Sequence, residues 1–302
     1  MCASMTTIMT HDDTRYTKAT NATASAIIRS YSTSFYLSSL ALGQPIRTHV
    51  HNLYGMVRIA DEIVDGTANA AGIPTEHLPQ LLNDYEARVH HALNHGFSTD
   101  PLIHAFATTA RWAGFPTSHI TDFFTSMRTD LSPARTHSPE SAAAYVHGSA
   151  GVIGLMCNAI FAAHLRDAGT PWDDHTRRST DHGAYALGSA FQKVNFLRDF
   201  GHDHLTLGRH YLPHVPAEGM NGEALGAVAE EIQQELATAC ATIPQLPRTA
   251  RGGVLAAHDL FAELNRRLAA TDPEELARTR VRIPETQKAR IIARALWRAR
   301  RM

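Results

Sequence analysis

Two short stretches of the chain carry acids at a spacing that could do chemistry. In the first, Tyr54, Arg58, Asp61 and Asp65 recur at intervals of three and four residues. At 3.6 residues per helical turn they fall on one face. Their neighbours Met56, Val57, Ile59, Ile63 and Val64 are apolar, so the helix is read as buried on several sides. A charged stripe there is costly unless it is paired. In the second stretch Gly188, Gln192, Asn195, Asp199 and Asp203 share a face in the same way, among Phe191, Val194, Phe196 and Leu197. Two faces of carboxylates and amides suggest oxygen-only coordination of a hard cation, and magnesium suits carboxylates, water and a substrate's phosphates. Four carboxylates around one pocket repel one another unless divalent ions bridge them to an anionic ligand. A diphosphate has the matching charge, and Arg58, Arg198 and Arg209 could clamp its remaining oxygens. The plainer alternative for the first stretch is an internal Arg58–Glu62 or Arg58–Asp61 ion pair on a solvated face.

Helices must position these stripes, because the apolar pattern has helical period nearly everywhere. Segments 17–40, 44–66, 77–95, 184–204 and 224–243 carry it, and between them lie glycine- and proline-bearing breaks. Ser138-Pro139-Glu140 and Asp272-Pro273-Glu274 read as helix starts. No stretch alternates with period two, and no break is long enough for a domain linker, so the fold class is all-α in a single domain. The 302 residues are 44% hydrophobic and 19% charged, as in ordinary globular proteins. Lys+Arg 28 against Asp+Glu 29 argues against a nucleic-acid partner. The three cysteines are scattered and the 19 histidines unclustered. They offer neither a disulfide framework nor a zinc spacing, and a reducing cytoplasmic location is expected. Residues 141–164 lack Asp, Glu, Lys and Arg; their glycines, His147 and Asn158 favour a core helix over a membrane span.

In order and spacing, Tyr31-Ser32-Thr33-Ser34-Phe35, Asp61 through Asp65, Gln192 through Asp203, and Gly208-Arg209-His210-Tyr211-Leu212-Pro213 resemble the squalene and phytoene synthases. These are head-to-head prenyl synthases; in detail the chain is most similar to the actinobacterial phytoene synthases. The resemblance runs from about residue 25 to residue 290. It implies an isoprenoid-synthase helical fold with a central apolar cavity, over residues 21–302 after a flexible lead of residues 1–20. It further implies magnesium, with manganese as a substitute, held by Asp61, Asp65, Asn195, Asp199 and Asp203. Tyr54 and Arg58 join the four aspartates in catalysis, and Ser32, Ser34, Phe35, Arg58, Tyr145, Gln192, Asn195, Arg198, Arg209, Tyr211 and Arg280 bind substrate. Arg282 is a rival for the place of Arg280. His202 stands where the family commonly has glutamate.

The activity implied is condensation of two geranylgeranyl diphosphates, through prephytoene diphosphate, to phytoene of the carotenoid pathway, without NADPH. Two alternatives stay open: a squalene-type or presqualene-diphosphate synthase on farnesyl diphosphate, and a non-catalytic helical scaffold. A small Ser39, one turn beyond Phe35, leaves room for the longer chain. Phe35, Phe123, Phe124, Phe191 and Phe196 are either cavity lining or plain core. Gly148, Gly151 and Gly154 imply close approach of a helix or of a substrate chain. The basic C-terminal helix around Trp297 is either a solvated tail or a peripheral contact with the inner membrane face.

Overall fold

The computed structural model describes residues 11–131, 138–201, 210–213, 215–216 and 219–302, with side chains described from residue 15 onward. Every regular element among them is helical. In order they are α1 (His11–Tyr31), α2 (Thr33–Ser39), α3 (Ile46–Val64), α4 (Thr67–Ala70), α5 (Leu78–His95), α6 (Pro101–Ala113) and α7 (Thr117–Asp130). There follow α8 (Pro139–Val146), α9 (Val152–Asp167), α10 (Asp174–Arg198), α11 (Gly222–Thr242), α12 (Arg248–Ala269), α13 (Pro273–Arg278) and α14 (Glu285–Ala299).

Local chemistry fixes most boundaries. Ser138 and Asp272 cap α8 and α13, each with proline in the first turn, as the sequence predicts. The segment expected as one helix over 17–40 is two. Ser32 leaves the helix at φ −141°, ψ 97°, and its hydroxyl accepts the Phe35 N–H to start α2. The segment expected over 184–204 begins earlier, behind the Asp173 cap, and closes at Arg198 with Asp199 as its C-cap. Helix α1 starts ahead of the boundary drawn at residue 21, and within it the Tyr16 hydroxyl donates to the Ser98 carbonyl at 2.9 Å.

Two cores flank a cavity. One joins α3, α5, α6, α7 and α9 around Met56, Phe106, Phe124 and Met156. The other joins α10, α11 and α12 around Val194, Ile232 and Leu260. Helices α8 and α9, joined by a π-turn over His147–Gly151, run between them, and Val152, Met156 and Ile160 are fully buried. Residues 139–167 are long and apolar enough to cross a membrane, but most of that stretch is buried against the rest of the bundle. Its glycines answer to helix packing. A Cβ on Gly154 would lie 2.1 Å from the Ala184 carbonyl oxygen, and one on Gly188 of the facing α10 2.3 Å from the carbonyl oxygen of Ala150 in this stretch. Neither contact is possible for a side chain, so α9 and α10 approach backbone to backbone.

Candidate active site

A cavity of about 620 Å³ lies between the two cores. Helix α3 lines it with Val50, Leu53, Tyr54, Val57, Arg58 and Asp61, and Asp65 caps that helix. Helix α10 lines it with Thr180, Gly183, Leu187, Phe191, Asn195 and its cap Asp199, among others. Each set recurs every three or four residues, so one face of each helix runs along the cavity. Both helices end at the acids. A helix C-terminus carries partial negative charge, so helix ends and carboxylates together give this mouth a strongly cation-seeking field.

The mouth is crosslinked by ion pairs. Arg58 donates to Asp61 at 3.0 Å and, through Nε, to Glu62 at 2.7 Å, while its guanidinium lies 4.6 Å over the Tyr31 ring. The plain ion-pair alternative is therefore realised in both forms, yet Arg58 and Asp61 also line the cavity. Arg198 Nη2 lies 2.6 Å from Asp199, and Arg280 Nε reaches the same carboxylate at 2.8 Å. Between the two rivals, Arg280 lines the cavity, whereas the Arg282 carbonyl accepts from Arg267. Burial, then the charge of Asp65, pushes the Asp61 carboxyl up to about 7; Arg58 opposes this, and Asp130 and Glu62 add to it. Burial likewise pushes the Tyr54 hydroxyl up to about 12 and the Tyr145 hydroxyl well above its ordinary value. Both stay protonated as hydrogen-bond donors.

Asp130, at the end of α7, was absent from the sequence-derived set. It lines the cavity, and its two oxygens accept from Tyr145 at 2.8 Å and Tyr211 at 2.7 Å. One acid thus fixes both tyrosines. Its only sequence signal is an acid at the C-terminal end of a helix, against the dipole.

Of the sequence-derived residues, Ser32, Phe35, Tyr54, Arg58, Asp61, Asp65, Tyr145, Gln192, Asn195, Arg198, Asp199, Tyr211 and Arg280 line this one cavity. Ser34 does not; its carbonyl accepts the Ser38 hydroxyl at 2.8 Å. Asp203, His202 and Arg209 lie outside the described residues. The phenylalanines divide. Phe35, Phe123, Phe191 and Phe196 line the cavity, and Phe124 packs in the core beside Tyr85. Phe35, Phe191 and Phe261 form one stack, with centroids 5.3 Å apart for Phe35–Phe261 and 3.8 Å for Phe191–Phe261.

The squalene/phytoene synthase family profile matches residues 28–287. The chain belongs to that family. Among its relatives, the 15-cis-phytoene synthase of Synechocystis is 29% identical over 191 residues, 63% of this chain and 55% of that one. Phytoene synthase 2 of Solanum lycopersicum is 33% identical over 183 residues, 61% of this chain and 55% of that one. The chain thus spans about half the length of the curated relatives it matches. A dehydrosqualene synthase solved with a ligand superposes with a TM-score of 0.73 at 19% identity, over 95% of this chain and 99% of that one. A squalene synthase from Alicyclobacillus acidocaldarius gives 0.68 at 18% identity, over 85% and 96%. The isoprenoid-synthase helical fold implied by the sequence is therefore the fold of this squalene/phytoene synthase family member.

Among the described residues, no group of three or more His, Cys, Asp or Glu side chains forms a cage for an ion. The donors that line the mouth still fit a hard cation that keeps water and takes phosphate oxygens. They are oxygen donors only, and Asp61 is held back from ionising first by burial and then by the charge of Asp65, which a cation between them would offset.

Proposed function

We propose that this chain joins two geranylgeranyl diphosphates head to head to give phytoene, using magnesium or, in its place, manganese, and no NADPH. Cavity length carries the reading. The cavity lining runs from Thr180 to Asn195 on α10 and from Val50 to Asp65 on α3, each a rise of roughly 22 Å at 1.5 Å per residue. A fully extended covalent chain advances about 1.2 Å per bond, so the sixteen-carbon main chain of a geranylgeranyl group spans roughly 18 Å and the twelve-carbon chain of farnesyl roughly 13 Å. The longer chain plus a diphosphate fills that length; the shorter one leaves the inner end empty.

Asp61, Asp65, Asn195 and Asp199, with Asp203 by resemblance, are the residues that would hold the ions. Bound there, magnesium would neutralise diphosphate oxygens and so ease departure of the leaving group. Arg58, Arg198 and Arg280, now paired with the mouth acids, would turn to the remaining oxygens as fixed charges. Protonated Tyr54 would add a neutral donor, while Tyr145, whose hydroxyl donates to Asp130, would line the site with its ring. The faces of Phe35 and Phe191 suit a passing allylic cation, and the apolar walls keep water from quenching it. The exposed Trp297 with Arg301 stacked 3.6 Å over it, at the end of basic α14, supports an inner-leaflet docking face on a cytoplasmic protein.

The test is to incubate purified protein and magnesium with C15 or C20 diphosphate and identify the products. Phytoene from geranylgeranyl diphosphate alone is expected. A preference for farnesyl diphosphate, or hydrocarbon release only with NADPH, would replace this reading with a squalene-type one.

A further inference from the structure

Two exposed apolar side chains from distant parts of the sequence stand together at the end of the bundle opposite the acidic mouth. Helix α14 turns Arg290, Arg294, Trp297 and Arg301 outward at intervals of three and four residues, and Trp297 is 53% exposed. Leu40, which caps α2, is 42% exposed. Their chain neighbours meet over α12: a Cβ on Gly252 would lie 2.9 Å from Leu296 Cδ2 and 3.6 Å from the Ala41 carbonyl oxygen. Trp297 and Leu40 therefore flank one seam of the surface.

Arginines surround that seam. Arg47 donates to the Leu40 and Leu42 carbonyls at 2.8 and 3.0 Å, and Arg251 to the Leu246 carbonyl at 2.8 Å. Arg298 is paired with Asp259. Among the described residues Arg47, Arg248, Arg251, Arg294, Arg300 and Arg301 make no ion pair with a carboxylate. Burial, then the charge of Arg248, holds Arg251 below its ordinary value, as expected where cations crowd without anions. The place is far from the mouth. Arg47 precedes Asp61 on α3 by fourteen residues, about 21 Å at 1.5 Å per residue, and the adjoining Leu42 and Gly253 line the inner end of the cavity.

Resting on the reading of α14 as a docking helix above, we propose that the docking face joins α14 to the α2–α3 turn and seats the inner end of the cavity, not its mouth, on an anionic bilayer. Apolar side chains ringed by unpaired cations suit the interface of such a leaflet. A second copy of the chain is the poorer partner, because a two-fold contact would set these arginines against one another. A mouth that carries carboxylates and takes a diphosphate is ill placed against lipid phosphates. Docked by the other end, it stays in water with the metal ions, and the hydrocarbon tail of a bound substrate points toward the membrane.

The experiment is flotation of the full chain, without substrate, on vesicles of phosphatidylcholine alone or mixed with phosphatidylglycerol. Binding to the anionic vesicles, weakening as salt is raised, is expected. Trp297→Ala, Arg301→Gln and Leu40→Glu should each weaken it about fivefold or more, the effect of about one basic residue at such a surface. Arg278→Gln, on the mouth-side helix α13 and 75% exposed, should change it less than about twofold. All the substituted side chains are exposed, so folding is not at stake, and circular dichroism checks it. If Trp297→Ala weakens binding while Leu40→Glu does not, or if Arg278→Gln costs as much as Arg301→Gln, this inference fails and the docking helix stands. Equal binding to neutral and anionic vesicles, or a dimer in solution that Trp297→Ala dissociates, overturns both. The geranylgeranyl reading is decided separately, by product analysis.

Discussion

Helix α10 begins and ends in two different solvents. At its C-terminal end Asn195, Arg198 and Asp199 meet Arg280 among many charges. At its N-terminal end Thr180 and Gly183 meet Asn158 and Thr242 in a pocket that holds no charge on its lining. The neighbouring Asp181 lies off that lining, accepting from Asn158 at 2.8 Å and paired with Arg177 at 2.9 Å. One end is built to concentrate charge, the other to exclude it. The contrast locates chemistry at the mouth and selection of substrate length at the base, and variants at the two ends should fail in different ways.

The largest effect is expected at the mouth. Asp61→Ala and Asp199→Ala should each lower turnover at least about a thousandfold, since they remove oxygens proposed to hold the ions that ease ionisation. Burial disfavours the Asp61 charge where it stands, and Asp199 caps α10 on the cavity rather than in either core, so circular dichroism should show an intact fold. Radiolabelled turnover measures the loss; activity within tenfold of wild type for both would place the ions elsewhere.

A smaller, pH-dependent effect belongs to the inner end, where charge is excluded. His51 is buried; its Nε2 lies 2.8 Å from Ser39 Oγ, whose hydroxyl donates to the Tyr36 carbonyl. That hydroxyl being spent, the ring supplies the N–H. Burial, then the charge of Arg47, pushes His51 down to about 4. The unfolded chain binds this proton near pH 6.5 and the folded one only near 4, so stability is complete above 6.5 and falls as the pH drops through that window. Between pH 7 and 5 the loss from this one group is about 2 kcal/mol. His49, also lowered to about 4 by burial, adds to it. Urea unfolding at the two pH values should show the drop shrinking by about that amount in His51→Gln; an unchanged drop would mean the histidine is protonated in the folded state.

The same contrast explains what could be read in the sequence. Tyr54, Arg58, Asp61 and Asp65 stood out because polar groups at helical spacing inside an apolar segment have no other economical use. Gln192, Asn195 and Asp199 stood out for the same reason, and all seven line the cavity. Asp130 carries no such stripe. It becomes functional only because α7 brings it under Tyr145 and Tyr211, which are distant in sequence. The inner end was illegible for a related reason. Asn158, Thr180 and Thr242 come one each from three helices, and each looks like an ordinary helix residue until the helices meet. The glycines could be noticed but not assigned, because their spacing does not say whether a helix or a ligand comes close; the carbonyls of Asp122, against Gly148, and Ala184, against Gly154, show close helix approach. The break at Ser32 was hidden by an unbroken helical period that a single serine cap interrupts.

The smallest expected effect tests the inner end as a selector of chain length. Ser39 lines the cavity and is tied to His51. Position 51 lies fourteen residues before Asp65 on α3, about 21 Å from the mouth at 1.5 Å per residue. Ser39 therefore stands at the level a C20 chain reaches and a C15 chain does not. A phenyl ring there takes the space of the last isoprene unit and leaves the mouth untouched. Each methylene denied burial forfeits about 0.8 kcal/mol, so partial exclusion of five carbons should shift the ratio of kcat/KM for geranylgeranyl over farnesyl diphosphate about tenfold toward farnesyl in Ser39→Phe. The turnover number on farnesyl diphosphate should stay close to that of wild type, because no ion-holding or diphosphate-facing group has moved. His51 loses its partner in this variant, so Ser39→Ala is the control, expected to share any loss of stability without the change in preference. If Ser39→Phe lowers kcat on both substrates and leaves their ratio unchanged, the inner end does not select length, and the division of labour along α10 is wrong.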